Sequence, residues 1–301
     1  MSSTKFKKPT NTAEEDVLVA ELRLLLSPGG SALVDEQLKQ GGENGLDVLT
    51  LRRWAVARKW DVAHAAKDLA AHAVYRSLNI LGGRVTQDQV QADLDQKKTF
   101  LNGYDNQGNP FILLLCKRHF AHNPEMSAKA IEYTLDAAVR LGELNPAWTG
   151  KLSIVFDLAG IGYANFDTAS LKKVFELLQN HYPERLARLY LYRAPMIFYA
   201  LWSLVKPFID PVTRTKVVFI EEKEAAALFP KYFDPKVCPQ QLGGQGPSRS
   251  VEDVWCQLLG KPFCHATSLH AVPTLDGEAL KPAPASAGIM LTANGDGNTH
   301  A

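Results

Sequence analysis

A chain of 301 residues, 46% of them hydrophobic and 22% charged, carries enough apolar material for one large or two modest domains around a substantial core. Its formal net charge of +1 excludes a global field that would recruit nucleic acid or an anionic membrane, so electrostatic recognition has to be local. The four cysteines (Cys116, Cys238, Cys256, Cys264) show neither a C-x-x-C pair nor zinc spacing, and reduced thiols in a cytosolic setting are expected.

The opening Met-Ser-Ser-Thr-Lys lacks the apolar stretch of a signal peptide, and Ser2 in place of glycine excludes myristoylation. Residues 1–12 are polar, with Lys5, Lys7 and Lys8, and read as a disordered arm. From Ala13 to about residue 80 the pattern is helical. Leu18, Leu22, Leu25 and Leu26 recur at helical spacing up to the Pro28-Gly29-Gly30 stop, and a second helix over 31–40 ends at Gly41-Gly42. Asp47 or Thr50 can cap a third helix, LRRWAVARK, and Asp61 a fourth over 62–78. Four helices joined by short turns make a small helical module, 13–80.

From residue 98 the texture changes. TFLNGY (99–104), the turn DNQGNP (105–110) and FILLLC (111–116) read as strand, turn and buried strand. A helix over 125–142, strand 153–160, helix 167–181, strand 188–192, helix 196–206, strand 216–220 and helix 221–229 follow. Such alternation predicts an α/β/α domain over 93–260 with a mostly parallel sheet, and apolar runs such as IVF and VVFI suit strands buried on both faces or beneath a pocket. Residues 262–301, rich in Ala, Pro, Gly, Ser and Thr, read as a disordered tail.

Segment 189–209 is the most apolar. It is broken by Arg193, Pro195, Lys206 and Pro207, and no run reaches the roughly 18 uncharged residues a spanning helix needs. Within it, MIFYALWSLVK (196–206) is hydrophobic around its circumference before Lys206. Such a helix is either buried on all sides or has an apolar partner on its outer face. Pro195 suits the first turn and Pro207 stops it, as a hinged lid requires. Core helix and lid both stay open on periodicity alone.

Enzyme signatures are missing: there is no GxSxG, no GxxxxGK[ST] and no HExxH. Gly243, Gly244 and Gly246 read as a turn, and His119 and His122 as a solvated pair rather than metal ligands. No catalytic residue, metal or cofactor is expected.

The segment HYPERLARLYLYRAPMIFYALWSLVKPFIDPVTRTKVVFI (181–220) resembles the CRAL-TRIO lipid-binding family, in its phosphatidylinositol-transfer branch. LRRWAVARKWDV (51–62), DNQGNP, VFDLAG (155–160) and CPQQLGG (238–244) resemble further family motifs in chain order. Together they cover about 50–250. The resemblance implies a helical N-terminal module packed on an α/β/α domain whose sheet floors a hydrophobic pocket. It implies a headgroup site of Arg58, Lys59, Glu184, Thr213 and Lys216, with Glu184 offsetting the Lys216 charge and Asp210 holding the loop. The gate helix would meet the membrane through Phe198, Leu201, Trp202 and Val205. Acyl chains would lie over Phe111, Leu113, Leu115, Ile154 and Phe156.

Family members that also exchange phosphatidylcholine carry Tyr, Ser or Thr where this chain has Leu101, Ile112, Gly162 and Ala164. Those four cannot donate hydroxyl hydrogen bonds, so the second ligand is left as a sterol, another apolar molecule or a different phospholipid. Tyr163 is an extra aromatic, for pocket or core. The implied function is non-enzymatic binding and transfer of phosphatidylinositol, or its presentation to a lipid kinase, by a cytoplasmic protein that meets membranes transiently. The alternatives are a carrier of a sterol, tocopherol-like compound or retinoid, and a lipid-sensing interaction module.

Overall fold

The computed structural model describes residues 8–26, 30–121, 123–209 and 211–261. The arm over 1–7, Pro28, His122, Asp210 and the tail over 262–301 lie outside them. Among the described residues no helix is long and apolar enough to cross a membrane.

The helical module is α1 (Thr12–Leu25), α2 (Ser31–Gln40), α3 (Val48–Ala57) and α4 (Val62–Asn79). Its starts are set locally: Asn11, Asp47 and Asp61 each accept a hydrogen bond from the backbone N–H three residues on, satisfying a donor that no helical carbonyl can reach. Of the two candidate caps for α3, Asp47 is the one used. Leu22, Leu38, Leu51, Trp54 and Leu69 form the module core. Helix α1 begins at Thr12, so residues 8–12 are not all arm.

After the short helix α5 (Gln91–Leu94) come β1 (Thr99–Tyr104) and β2 (Pro110–Leu115), joined by the 105–110 turn. Asp105 closes that turn by accepting from the backbone N–H of Gln107 and Asn109 and from Ser153 Oγ. Then follow α6 (Pro124–Glu143), β3 (Leu152–Asp157), α7 (Thr168–His181), β4 (Leu186–Tyr192), α8 (Met196–Val205), α9 (Pro211–Thr215), β5 (Val217–Ile220), α10 (Glu222–Tyr232) and α11 (Val251–Leu258). The strands form one sheet in the order β1-β2-β3-β4-β5. β1 and β2 pair antiparallel, and the other three pairs are parallel. α9 and α11 have no counterpart among the sequence expectations. Ser250 caps α11 and Trp255 anchors it, donating to the Tyr133 carbonyl at 3.1 Å.

The two sheet faces have different cover. Phe111, Leu113, Leu115, Val155, Tyr190, Tyr192 and Ile220 pack under α10 and the 233–242 segment, through Phe229, Phe233 and Leu242. The opposite face meets α6 at its β1/β2 end, through Leu101 and Ile112, and α8 at its β4/β5 end.

The module and the domain are joined by a buried polar seam. Arg76 of α4 donates to Asp136 Oδ2 at 2.9 Å, to Glu132 Oε1 at 3.4 Å and to the Gly41 carbonyl at 3.0 Å through Nε. His72 sits 2.7 Å from Glu43 and 3.0 Å, nitrogen to nitrogen, from His181, whose ring stacks on Tyr75 at 3.6 Å. Burial, then the His72 charge, pulls His181 down to about 3, and burial pulls His72 down as well. The folded chain therefore resists protonating these rings where a free imidazole would take up a proton. Their contribution to stability is complete above about pH 6.5 and is lost as pH falls, because the unfolded chain takes up protons that the folded one refuses. Urea unfolding from about pH 7 to about pH 4 is expected to show that decline. His181→Phe, which retains the ring stack, should flatten it, and an unchanged slope would put the titrating groups elsewhere.

Cys116 and Cys238 are free thiols. Cys256 is disulfide-bonded, which corrects the expectation of reduced thiols throughout; Cys264 lies outside the described residues.

Candidate functional site: an apolar floor with a charged mouth

Parallel strands align their starting ends, and that alignment brings distant residues together. Lys151 precedes β3, Glu184 precedes β4 and Lys216 precedes β5. Backbone hydrogen bonds hold the three starts in line: Leu152 N–H donates to the Arg185 carbonyl at 2.7 Å, and Leu189 N–H to the Lys216 carbonyl at 3.0 Å. Glu184 Oε2 then accepts from Lys151 Nζ at 3.0 Å and lies 3.5 Å from Lys216 Nζ. Thr213 joins through its carbonyl, which accepts the Lys216 N–H at 3.0 Å. Glu184 occupies the left-handed backbone region at φ 56°, a strained turn that aims its carboxylate at both ammonium groups. Burial pushes the Glu184 carboxyl up, but Lys151 and then Lys216 pull it below its ordinary value, so it stays an anion. The cluster is two cations on one carboxylate, half-buried, with surplus positive charge to offer an anionic ligand.

Three of the five expected headgroup residues thus meet. Arg58 and Lys59 do not join them in this conformation. Arg58 forms a short hydrogen-bonded ion pair with Asp68 and lies over the Trp54 ring at 5.5 Å; Lys59 is exposed at the left-handed end of α3. Lys151 completes the cluster and was not anticipated. A lysine opening a strand is an ordinary sequence feature, and only strand register shows what it touches.

The floor lies on the α8 face. Register pairs Ile112 with Ile154 and Leu114 with Phe156, then Ile154 with Leu189 and Phe156 with Leu191, then Leu189 with Val217 and Leu191 with Phe219. Ile154, Phe156 and Leu189 are only half-buried, although they stand on the inner strands β3 and β4, and Val217 and Phe219 of the edge strand β5 are half-buried beside them. Half-exposed central strand residues are what a sheet shows when a second layer covers it incompletely. The expected acyl lining therefore needs correction. Ile154 and Phe156 are on this floor, whereas Phe111, Leu113 and Leu115 point to the other face and are sealed beneath α10. Alternation along a pleated strand sends successive side chains to opposite faces, so one set cannot contain both groups.

Helix α8 lies across the floor. Phe198 and Trp202 are half-buried and stacked on each other at 6.4 Å; Trp202 meets Phe219 edge-on at 5.8 Å and Tyr199 stacks on Phe219 at 5.4 Å. The helix is closed onto the sheet, with Phe198 and Trp202 inward. Met196, 84% exposed, faces outward, while Tyr199, 39% exposed, packs on Phe219 at the edge of the floor. The side chains of Leu201 and Val205, also expected at a membrane contact, lie outside the described residues. Tyr163, 84% exposed on the loop after β3, is neither pocket nor core. Leu101 and Ile112 are buried against α6, while Gly162 and Ala164 sit on that outer loop.

His119 is engaged by Lys98, whose Nζ lies 3.0 Å from His119 Nδ1, and His122 lies outside the described residues. At the glycine cluster, Gly243 takes φ +82° after a short turn of helix over Gln240–Leu242, and a Cβ on Gly244 would fall 2.0 Å from the Cys238 carbonyl oxygen. That is a close-packed turn.

Comparison with known proteins agrees with this geometry. The CRAL/TRIO domain profile matches residues 94–244, which is half of the chain and contains the whole sheet. The chain is 30% identical over 209 residues to the phosphatidylinositol transfer protein CSR1 of Eremothecium gossypii, covering 65% of this chain and 46% of that protein. It is 26% identical over 184 residues to the phosphatidylinositol transfer protein PDR17 of Saccharomyces cerevisiae, covering 57% of this chain and 52% of that one. The chain thus spans about half the length of these curated relatives. The crystal structure of Sfh5 superposes with a TM-score of 0.59 at 18% identity, over 81% of this chain and 91% of that chain, which shows the same fold. On the profile match and the architecture together, the chain belongs to the CRAL/TRIO domain family.

Proposed function

We propose that this chain binds a single phospholipid, phosphatidylinositol, with its acyl chains on the floor under α8 and its headgroup at Lys216, Glu184, Thr213 and Lys151, and moves it between membranes without making or breaking a bond. The observation that carries the reading is a half-exposed apolar floor under an oily helix whose mouth bears two lysines on one carboxylate. The names of the relatives support the ligand class. Desolvation sets the mechanism. At about 0.8 kcal/mol per methylene, two chains of roughly 16 carbons would meet a barrier above about 20 kcal/mol if they crossed water. Docking with α8 swung open against a bilayer keeps the hydrocarbon out of water throughout. Met196 already faces outward, and opening would add Phe198, Tyr199 and Trp202. Such a protein works in the cytoplasm, meets membranes transiently and hands lipid to a membrane or a lipid kinase; no metal or nucleotide enters.

Native mass spectrometry of protein purified from cells is expected to show one bound phosphatidylinositol, and the protein is expected to move labelled phosphatidylinositol between vesicles. A bound ligand without phosphorus would replace this reading with an apolar carrier. Lipid that stays bound and never exchanges would replace it with a sensing module.

Leu101 and Ile112 are fully committed to the core against α6 and offer no hydroxyl. Phosphatidylcholine is therefore expected to transfer at least about five-fold more slowly than phosphatidylinositol, since even two missing hydrogen bonds cost on the order of 1–3 kcal/mol. Equal rates for the two lipids would show that the choline headgroup is held by other residues.

A further inference from the structure

A cleft of about 570 Å³ runs between the helical module and the lipid-binding domain, with Arg53 and Arg185 on its walls. Neither arginine belongs to the headgroup cluster, and both are poorly neutralised. Arg53, on α3 and only 9% exposed, donates to the Pro183 carbonyl at 3.2 Å. Its nearest carboxylate, Glu43, is 3.9 Å away and is already shared by His72 at 2.7 Å and Arg76 at 3.5 Å. Arg185, on the turn before β4, donates to the Gly150 carbonyl at 3.1 Å and lies over the Trp148 ring at 5.4 Å. Its Nε is buried with no hydrogen-bond partner, and no carboxylate among the described residues comes within 4.0 Å of it. Burial, and then the charge of Arg185, pulls Arg53 down to about 9. Two guanidinium groups, one from each half of the molecule, thus repel each other in a partly desolvated space.

That arrangement is costly unless something answers the charge. A buried guanidinium without a close counter-ion is strongly unfavourable, whereas Arg76 on the same seam has Asp136 at 2.9 Å. The acidic residues of the cleft answer it only in part: Glu43 and Glu143 act on Arg185 through space, without an ion pair to it. Asp47 caps α3 through the Thr50 N–H, Asp136 is held by Arg76 and Tyr182, and Glu184 by the two lysines. Glu143 is exposed at the rim. We propose that the Arg53–Arg185 corner of this cleft is a second binding site, for a phosphate-type anion that bridges the module and the domain.

Planar guanidinium forks match the paired oxygens of a phosphate, and two forks converging from different elements select a tetrahedral oxyanion over a halide. The cleft reaches the headgroup cluster through Lys151 and Glu184, which line both. The anion can therefore come from a free phosphate compound, or from a phosphomonoester on the ring of a lipid seated at Lys216. Only the lipid source rests on the proposed function above.

The test uses the full chain. Inorganic phosphate, titrated calorimetrically against chloride at matched ionic strength, is one arm. Vesicles containing phosphatidylinositol 4-phosphate, against vesicles with unphosphorylated phosphatidylinositol, are the other. In both, phenylglyoxal labelling of Arg53 and Arg185 is read by peptide mass mapping, which needs no variant. Slowed labelling of both arginines by inorganic phosphate assigns a soluble anion, and slowing only by the phosphorylated lipid assigns the lipid. Arg185→Gln is expected to weaken the effective probe by about ten- to a hundred-fold, with Arg185→Lys restoring part of the loss. Labelling unchanged by either probe, or anion affinity undiminished in Arg185→Gln, overturns the site. Transfer of unphosphorylated phosphatidylinositol is measured alongside, so a failed carrier reading and a failed anion site give different results.

Discussion

Thr213→Asp combined with Lys216→Ala is expected to abolish phosphatidylinositol transfer while leaving the fold intact. Lys216 Nζ stands 3.5 Å from Glu184 at the mouth of the floor, and Thr213 is fixed to the Lys216 backbone. The alanine removes one of the two cations on Glu184, and the aspartate adds an anion beside the place where the lipid phosphate would sit. Losing one charge-assisted hydrogen bond costs about 1.5–3 kcal/mol and the added repulsion acts in the same direction, so the combined loss of transfer is at least about a hundred-fold. Both residues are only half-buried and neither carries core packing, so the thermal midpoint should move by a few degrees at most. Transfer between labelled vesicles is the measurement. Undiminished transfer with an intact fold would remove Lys216 and Thr213 from the headgroup site.

The largest stability effect is expected at Arg76. This side chain is fully buried and answers Asp136, Glu132, the Gly41 carbonyl and the Tyr182 hydroxyl together. Burial, and then the Asp136 charge, already pushes the Glu132 carboxyl up to about 7. Arg76→Met fills much of the volume but strands two carboxylates in the seam, and removing one partner of a buried pair costs about 3–5 kcal/mol. The denaturation midpoint should drop accordingly. Adding Glu132→Gln and Asp136→Asn to Arg76→Met should recover part of the loss, because the amides carry no charge to strand. A shift of less than about 1 kcal/mol in Arg76→Met would show that the seam does not hold the module to the domain.

Much of the candidate site was legible in the chain, and the misses share a cause. The oily run over 196–206 between two prolines is local, and it forms α8 across the sheet. Glu184, Thr213 and Lys216 lie within 33 positions of each other, each placed by a motif. Lys151 went unnoticed because nothing near it in sequence marks it, and Arg53, though inside the LRRWAVARKWDV motif, because the motif does not show what it touches; Lys151 reaches Glu184 through strand register, and Arg53 reaches Pro183 across 130 positions. The misassigned lining shows a different limit. FILLLC is apolar at every position, so its period-2 signal is blank, and composition cannot say whether Phe111 or Ile112 faces the floor. Only the packing of α10 against Phe111 and Leu113 decides it.

The sequence by itself determined what depends on neighbours a few residues apart. Caps at Asp47 and Asp61, the Asp105 turn, the alternation of strands and helices, and the brackets around α8 are all of this kind, because they are hydrogen bonds and dihedral preferences within one or two turns of chain. The tertiary structure alone decided which sheet face is left half-open, which cations crowd Glu184, and that Arg53 and Arg185 confront each other across the module seam. Those outcomes come from strand register and docking between elements tens of residues apart, where the free energy belongs to packing and desolvation rather than to local preference.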